Sequence, residues 1–136
     1  MRTEGTFTVA SFVAAELTPP PTAVELGAPV GVATMEKVYA GDVTGHSATI
    51  FTSAFDMSTG VGTYVAMESF EGLLDERSGG FAYVHSATTL GSDRGREFFT
   101  IVPGTGIGDL AGIKGGGGMA IDEDGTHRIW FDYDLA

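Results

Sequence analysis

The sequence predicts an all-β domain: an eight-stranded antiparallel up-and-down β-barrel with little helix beyond short 3-10 turns. Three observations carry that expectation. Apolar residues recur at every second position through most of the chain, the period of a strand and not of a helix. Eight such segments are separated by mostly short connections rich in Gly, Asp, Ser and Pro. The length, 136 residues, suits one hydrophobic core, so residues 1–136 form a single domain. Closing eight strands on themselves removes the unpaired edges and leaves an interior that side chains fill or a small ligand occupies. A two-sheet sandwich would need longer crossovers than follow the second strand.

The first strand covers 7 to about 17, where Phe7, Val9, Ser11, Val13 and Ala15 alternate with Thr8, Ala10, Phe12 and Ala14, both faces being fairly apolar. Pro19, Pro20 and Pro21 cannot donate ladder hydrogen bonds, so 18–29 is the longest irregular loop, either a lid or a floppy crossover. Strands follow at 30–40, 46–55 and 61–73, then a polar connection at 75–80. The next two strands are 81–90 and 94–102, the latter stopped by Pro103. A short strand at 119–122 and a last one at 127–135 flank Asp124-Gly125, a pair suited to a type I′ turn.

Between the sixth and seventh strands lies IVPGTGIGDLAGIKGGGG, residues 101–118, with eight of the chain's 21 glycines. Gly106, Gly108 and Ala111 fit the spacing of a dinucleotide-binding turn. Such a turn must open a long helix, and Gly112 and Gly115–Gly118 interrupt one within about two turns. Each Gly costs about 1 kcal/mol relative to Ala in a helix. Lys114 is followed by Gly115, where a phosphate-binding Walker loop requires Ser or Thr. The stretch is expected to close one barrel end, with a turn at Pro103-Gly104, Leu110 and Ile113 as an apolar plug, and a flexible glycine return.

Composition narrows the function classes. Eighteen acids against seven Lys and Arg leave a net charge of −11, which repels nucleic acid and anionic membrane surfaces. Without cysteine there is no disulfide, thiolate zinc site or cysteine nucleophile. His46, His85 and His127 lie far apart, with no metal-ligand spacing, so neither metal nor cofactor is expected. The apolar segment 7–15 after Arg2 could pass for a signal-peptide core. Glu4, Thr8 and Ser11 argue for a strand, and the expected location is cytoplasmic.

Four motifs then occur in order: EKVYAGDVTG at 36–45, YVAMESFEG at 64–72, GFAYVHS at 80–86 and VPGTGIGDLAG at 102–112. Over nearly the whole chain this series resembles a bacterial family of small uncharacterised proteins grouped with the allene oxide cyclase-like barrels. The resemblance implies a barrel whose lumen opens at one end. Members of that broad fold include plant cyclases of fatty-acid epoxides, dirigent proteins and bacterial cyclases of polyketide-like substrates. They handle apolar small molecules without a cofactor, chiefly by shaping them. This chain has no counterpart of the plant cyclases' cysteine.

The residues themselves single out candidate chemistry. Phe81, Tyr83 and His85 share one strand face, as do Tyr64, Ala66, Glu68 and Phe70 on the strand before. If both faces point inward, Glu68 and His85 meet in an aromatic cavity, either as a general acid/base pair or as a hydrogen-bonded pair that fixes barrel register. Lys37, on a face with Ala33, Met35 and Tyr39, either neutralises Glu68, binds an anionic group, or snorkels outward. The candidate catalytic residues are therefore Glu68, His85 and Lys37, with Tyr64, Phe70, Phe81, Tyr83 and Trp130 as substrate-binding candidates. Trp130 faces the lumen only if Ile129, Phe131 and Tyr133 face out. Either arrangement leaves an outer apolar face, from which a homodimer is expected. No nucleophile elbow occurs, and Asp122, Glu123 and Asp124 read as a solvated turn.

The expected function is a cofactor-free isomerase or cyclase acting on a small, largely apolar, oxylipin- or polyketide-like substrate in the lumen. The alternatives are a non-catalytic carrier of a small hydrophobic ligand and a structural protein with a filled core. A cavity of about 300 Å³ or more separates the first two from the third. On the enzyme reading, Glu68→Gln and His85→Ala are expected to abolish turnover with little change in thermal midpoint.

Overall fold

A computed structural model describes residues 1–135. Its regular structure is entirely β, and among the described residues no helix is long and apolar enough to cross a membrane. The strands are β1 (Arg2–Ala15), β2 (Val30–Gly41), β3 (Val43–Asp56), β4 (Val61–Leu74), β5 (Arg77–Leu90), β6 (Asp93–Ile101), β7 (Ile107–Gly108), β8 (Lys114–Ile121) and β9 (His127–Asp134). They pair antiparallel in the order β6-β5-β4-β3-β2-β1-β9-β8, with the two-residue β7 added to β5. The sheet curls until β6 and β8 run side by side, so eight strands make a nearly closed barrel. No hydrogen-bond ladder joins those last two strands; Thr100 Oγ1 reaches the Gly115 carbonyl at 3.4 Å instead.

The inward face follows the period-two pattern, with one interruption. In β1 the register slips between Val9 and Ser11, placing Val9 opposite Lys37 and Phe12 opposite Met35. A β-bulge therefore turns Phe7 and Val9 inward before it and Phe12 inward after it, which is why both faces of this strand read as apolar.

Four local expectations are corrected. The 75–80 connection is only a two-residue turn: Asp75 and Glu76 both take positive φ, at 48° and 72°, and Arg77 already begins β5. Asp124-Gly125 is not a type I′ turn, because only Gly125 has positive φ; a longer loop closes through Asp122 N to Thr126 O at 2.9 Å. The third strand begins at Val43. The glycine return is strand β8 itself. Its glycines have a steric cause: a Cβ on Gly117 would lie 2.1 Å from the Trp130 carbonyl oxygen, and one on Gly118 would lie 2.4 Å from the Trp130 indole. Tertiary contact overrides the poor strand propensity of glycine here.

The core sits at the end where the β2–β3 and β4–β5 turns meet the 102–113 segment. Val43, Phe70, Leu74, Phe81, Ile129, Phe131 and Tyr133 are buried there, and Leu110 and Ile113 cap them from the connection. The rings interlock, Phe81 standing edge-on to Phe131 at 5.3 Å and tilted against Phe70 at 5.2 Å. Burying each such side chain stabilises the fold by roughly 1.5–3 kcal/mol.

Candidate functional site

Above the aromatic core the inward positions change character. Glu68 on β4 lies opposite Thr49 on β3 and Tyr83 on β5. Lys37 and Tyr39 on β2 must reach across β3 to meet it. They can, because the β3 side chains between them, Ser47 and Thr49, are small. Ala66, fully buried beside His85, leaves room for the imidazole in the same way.

Glu68 is fully buried and accepts five hydrogen bonds. Its Oε1 receives Ser47 Oγ at 2.9 Å, Tyr39 Oη at 3.1 Å and Thr49 Oγ1 at 3.1 Å. Its Oε2 receives Lys37 Nζ at 2.7 Å and His85 Nε2. The Tyr39 hydroxyl also meets those of Ser47 at 2.8 Å and Tyr83 at 2.5 Å. Lys37 caps the face of the Phe7 ring at 4.4 Å, which partly replaces its lost hydration.

Burial alone would push the Glu68 carboxyl up. The His85 hydrogen bond and the Lys37 charge together outweigh it and hold the group well below the usual carboxylate range. Burial pulls His85 below its ordinary value, and the Glu68 carboxylate offsets only part of this. Burial likewise lowers Lys37 against the pull of Glu68. Desolvation raises Tyr39 and Tyr83, so both are phenols. The cluster is thus an ionised Glu68 paired to Lys37, with a neutral His85 donating from Nε2.

On the other side of His85, Nδ1 meets Tyr64 Oη at 2.9 Å, and Arg94 Nη2 donates to the same phenol oxygen at 2.7 Å. Arg94 Nε is held by Glu97 at 2.7 Å. The Tyr64 ring stacks on Phe51 at 5.1 Å. These groups border a cavity of about 450 Å³ lined by Phe7, Met35, Lys37, Phe51, Met119 and His127 among others, most of its wall apolar. Phe51 and Tyr64 also line a second cavity of about 400 Å³ toward the open mouth, with Phe12 and Phe55.

Of the residues singled out from sequence, Glu68, His85 and Lys37 converge within one network. His85 and Lys37 line the larger cavity, whereas Glu68 lies behind them. Tyr64 lines both cavities. The other substrate-binding candidates are placed differently. Phe70 and Phe81 belong to the packed core, away from either cavity. Tyr83 is fully buried, stacked on His85, with its hydroxyl turned to Tyr39. Trp130 is on the outer face under Arg2, because Ile129, Phe131 and Tyr133 take the inward positions of β9. It touches only a small recess of about 170 Å³ at the β6–β8 junction. Sequence reasoning missed Ser47, Thr49 and Arg94 as site residues. Ser47 and Thr49 carry a readable signal, two hydroxyls at i and i+2 on a face continuing to Phe51. Arg94 carries none. Among the described residues no three His, Asp or Glu side chains gather as metal ligands.

The family described as "Protein of unknown function (DUF3224)" matches residues 3–133. No curated protein matches the chain. Among solved structures, the crystal structure of a protein with unknown function from the DUF3224 family of Shewanella oneidensis MR-1 is 25% identical, with a TM-score of 0.84. The alignment covers 100% of this chain and 97% of that one.

Proposed function

The chain belongs to the DUF3224 family, and from that premise we propose that it is a cofactor-free isomerase or cyclase acting on a small, largely apolar molecule held in the barrel. One observation carries the reading: an apolar cavity of about 450 Å³ is bordered by a histidine whose far nitrogen is held by a buried, ionised carboxylate. Carboxylate-backed imidazole suits proton transfer, since the carboxylate fixes the tautomer and stabilises the imidazolium that forms. Glu68 acts as the positioning residue and Lys37 as its counter-charge. The cavity volume favours an occupied lumen over a filled one. The sequence resemblance to allene oxide cyclase-like barrels points to the same substrate class by analogy alone. Exposed Val38, Ile50, Val65 and Met67 on the outer face of β2–β4 support a homodimer.

The carrier reading rests on Glu68 being saturated with donors, as a purely structural lock would be. Incubation with a set of apolar epoxides, enones and polyketide-like compounds, read by chiral chromatography and mass spectrometry, separates the two. Conversion of at least one compound, lost in His85→Gln, is expected. Compounds retained by the protein and recovered unaltered would assign it as a carrier.

A further inference from the structure

We propose that Tyr64 is a catalytic residue, the group that exchanges a proton with the bound molecule, and that this molecule is an apolar ketone or enone with a C–H beside its carbonyl. The inference rests on the acid–base reading above and adds its substrate class.

Both nitrogens of His85 are occupied: Nε2 by Glu68 and Nδ1 by Tyr64. The imidazole therefore reaches a molecule in the lumen through the phenol, which borders both cavities. Arg94 donates to the phenol oxygen, leaving the phenol's own proton directed at Nδ1. The tautomer assigned from this network has Nδ1 as acceptor and Nε2–H as donor to Glu68. The order Glu68–His85–Tyr64 thus repeats the carboxylate, imidazole and hydroxyl of hydrolytic triads, with a phenol as the outermost group.

The step balances without an added reagent. A C–H bond of the ligand breaks, and its electron pair moves onto the carbonyl oxygen. The proton goes to Tyr64 Oη, while the phenol's own proton passes to His85 Nδ1. The products are an enolate, a neutral tyrosine and an imidazolium facing the Glu68 carboxylate. Reversal that returns the proton to another carbon of the same enolate completes an isomerisation.

A ketone is favoured over a simple alcohol by Arg94. Arg94 Nη1 has no hydrogen-bond partner among the described residues, and Arg94 borders the cavity with its guanidinium already on the Tyr64 oxygen. A guanidinium beside the proton acceptor is where an enolate oxygen needs a donor.

Two measurements test this. In protein labelled with ¹³Cζ-tyrosine, the Tyr64 signal, identified by its loss in Tyr64→Phe, should move in both His85→Gln and Arg94→Leu. A signal unmoved by either change would overturn the relay. The second follows deuterium uptake at the activated carbon of 2-tetralone in D₂O. The wild type should accelerate it, and Tyr64→Phe should lose roughly 100-fold or more of that rate while still binding tetralone. Arg94→Leu should slow it and shift its pH profile upward. Exchange retained in Tyr64→Phe but lost in His85→Gln would remove Tyr64 from the chemistry and leave the acid–base reading intact. Wild-type exchange no faster than buffer would overturn the ketone class. The broader reading falls only if the epoxides and polyketide-like compounds also come back unaltered.

Discussion

At the closed end of the barrel Phe70, Phe81, Phe131 and Leu74 interlock beneath Leu110 and Ile113. At the open end Phe12, Phe51, Tyr64 and Phe55 line a cavity of about 400 Å³. The two ends are built largely from the same strands, one plugged by Leu110 and Ile113 of the 102–113 connection and the other without such a plug. Between them lies one polar level of the barrel, where Lys37, Ser47, Thr49, Glu68 and His85 stand in place of apolar side chains. Below that level, inward residues stabilise; above it, they leave room. The polar level is costly to bury and its charges are tolerated only because each has a partner.

The sharpest way to break this division is at Glu68. Replacing it with Leu leaves Lys37 buried without its counter-charge, and unfolding by urea should report a loss of about 3–5 kcal/mol. Adding Lys37→Met should recover most of it; if it does not, the pairing is not what the carboxylate supplies. This alters the sequence-based expectation that Glu68→Gln spares the thermal midpoint, because the neutral amide cannot accept all five donors and the midpoint should fall. At the closed end, Leu110→Ala should cost about 2–5 kcal/mol by opening a cavity in the plug. Ligand binding should be unchanged, and a matching loss of binding would mean the two ends are not separable.

The smallest effect is the pH response of the polar level. His85 titrates below its ordinary value of 6.5 in the folded protein, so the unfolded chain binds the proton first. Stability should therefore fall as pH drops through 6.5 and level off below the folded value. The Glu68 contribution is complete above its ordinary 4.5 and is lost only as pH falls further toward its depressed folded value. Denaturant midpoints measured across this range should show both descents in the wild type. His85→Gln should keep only the more acidic one.

Legibility followed the range of the physics involved. Alternation placed Glu68 with Phe70, and His85 with Tyr83, because side-chain direction in a strand is local. On β9 the same alternation was readable, since Ile129, Phe131 and Tyr133 make an apolar face while Trp130 shares its own with Arg128 and Asp132; the bulk of one indole obscured it. The β1 bulge was hidden because the slip between Val9 and Ser11 leaves apolar residues on both faces of that strand, so no break in the alternation marks it. The Asp75-Glu76 turn was hidden because neither residue is the Gly or Asn that positive φ usually requires. Strand β8 was hidden because its glycines answer to the Trp130 ring and carbonyl, which lie on another strand. Arg94 reaches Tyr64 from 30 positions away, a meeting set by the registers of β4, β5 and β6, including the slip between Ser86 and Thr88.

The wall between β6 and β8 gives this barrel a property that a fully laddered one lacks. When every strand is bonded to two neighbours, strand number and stagger fix the circumference, and widening it means breaking backbone hydrogen bonds. Here one joint is made of side-chain and van der Waals contacts, Thr100 on Gly115 and Phe99 against the bare backbone of Gly116 and Gly117. Parting β6 from β8 beside His85 would break no backbone ladder, whereas parting any of the other seven joints would break one.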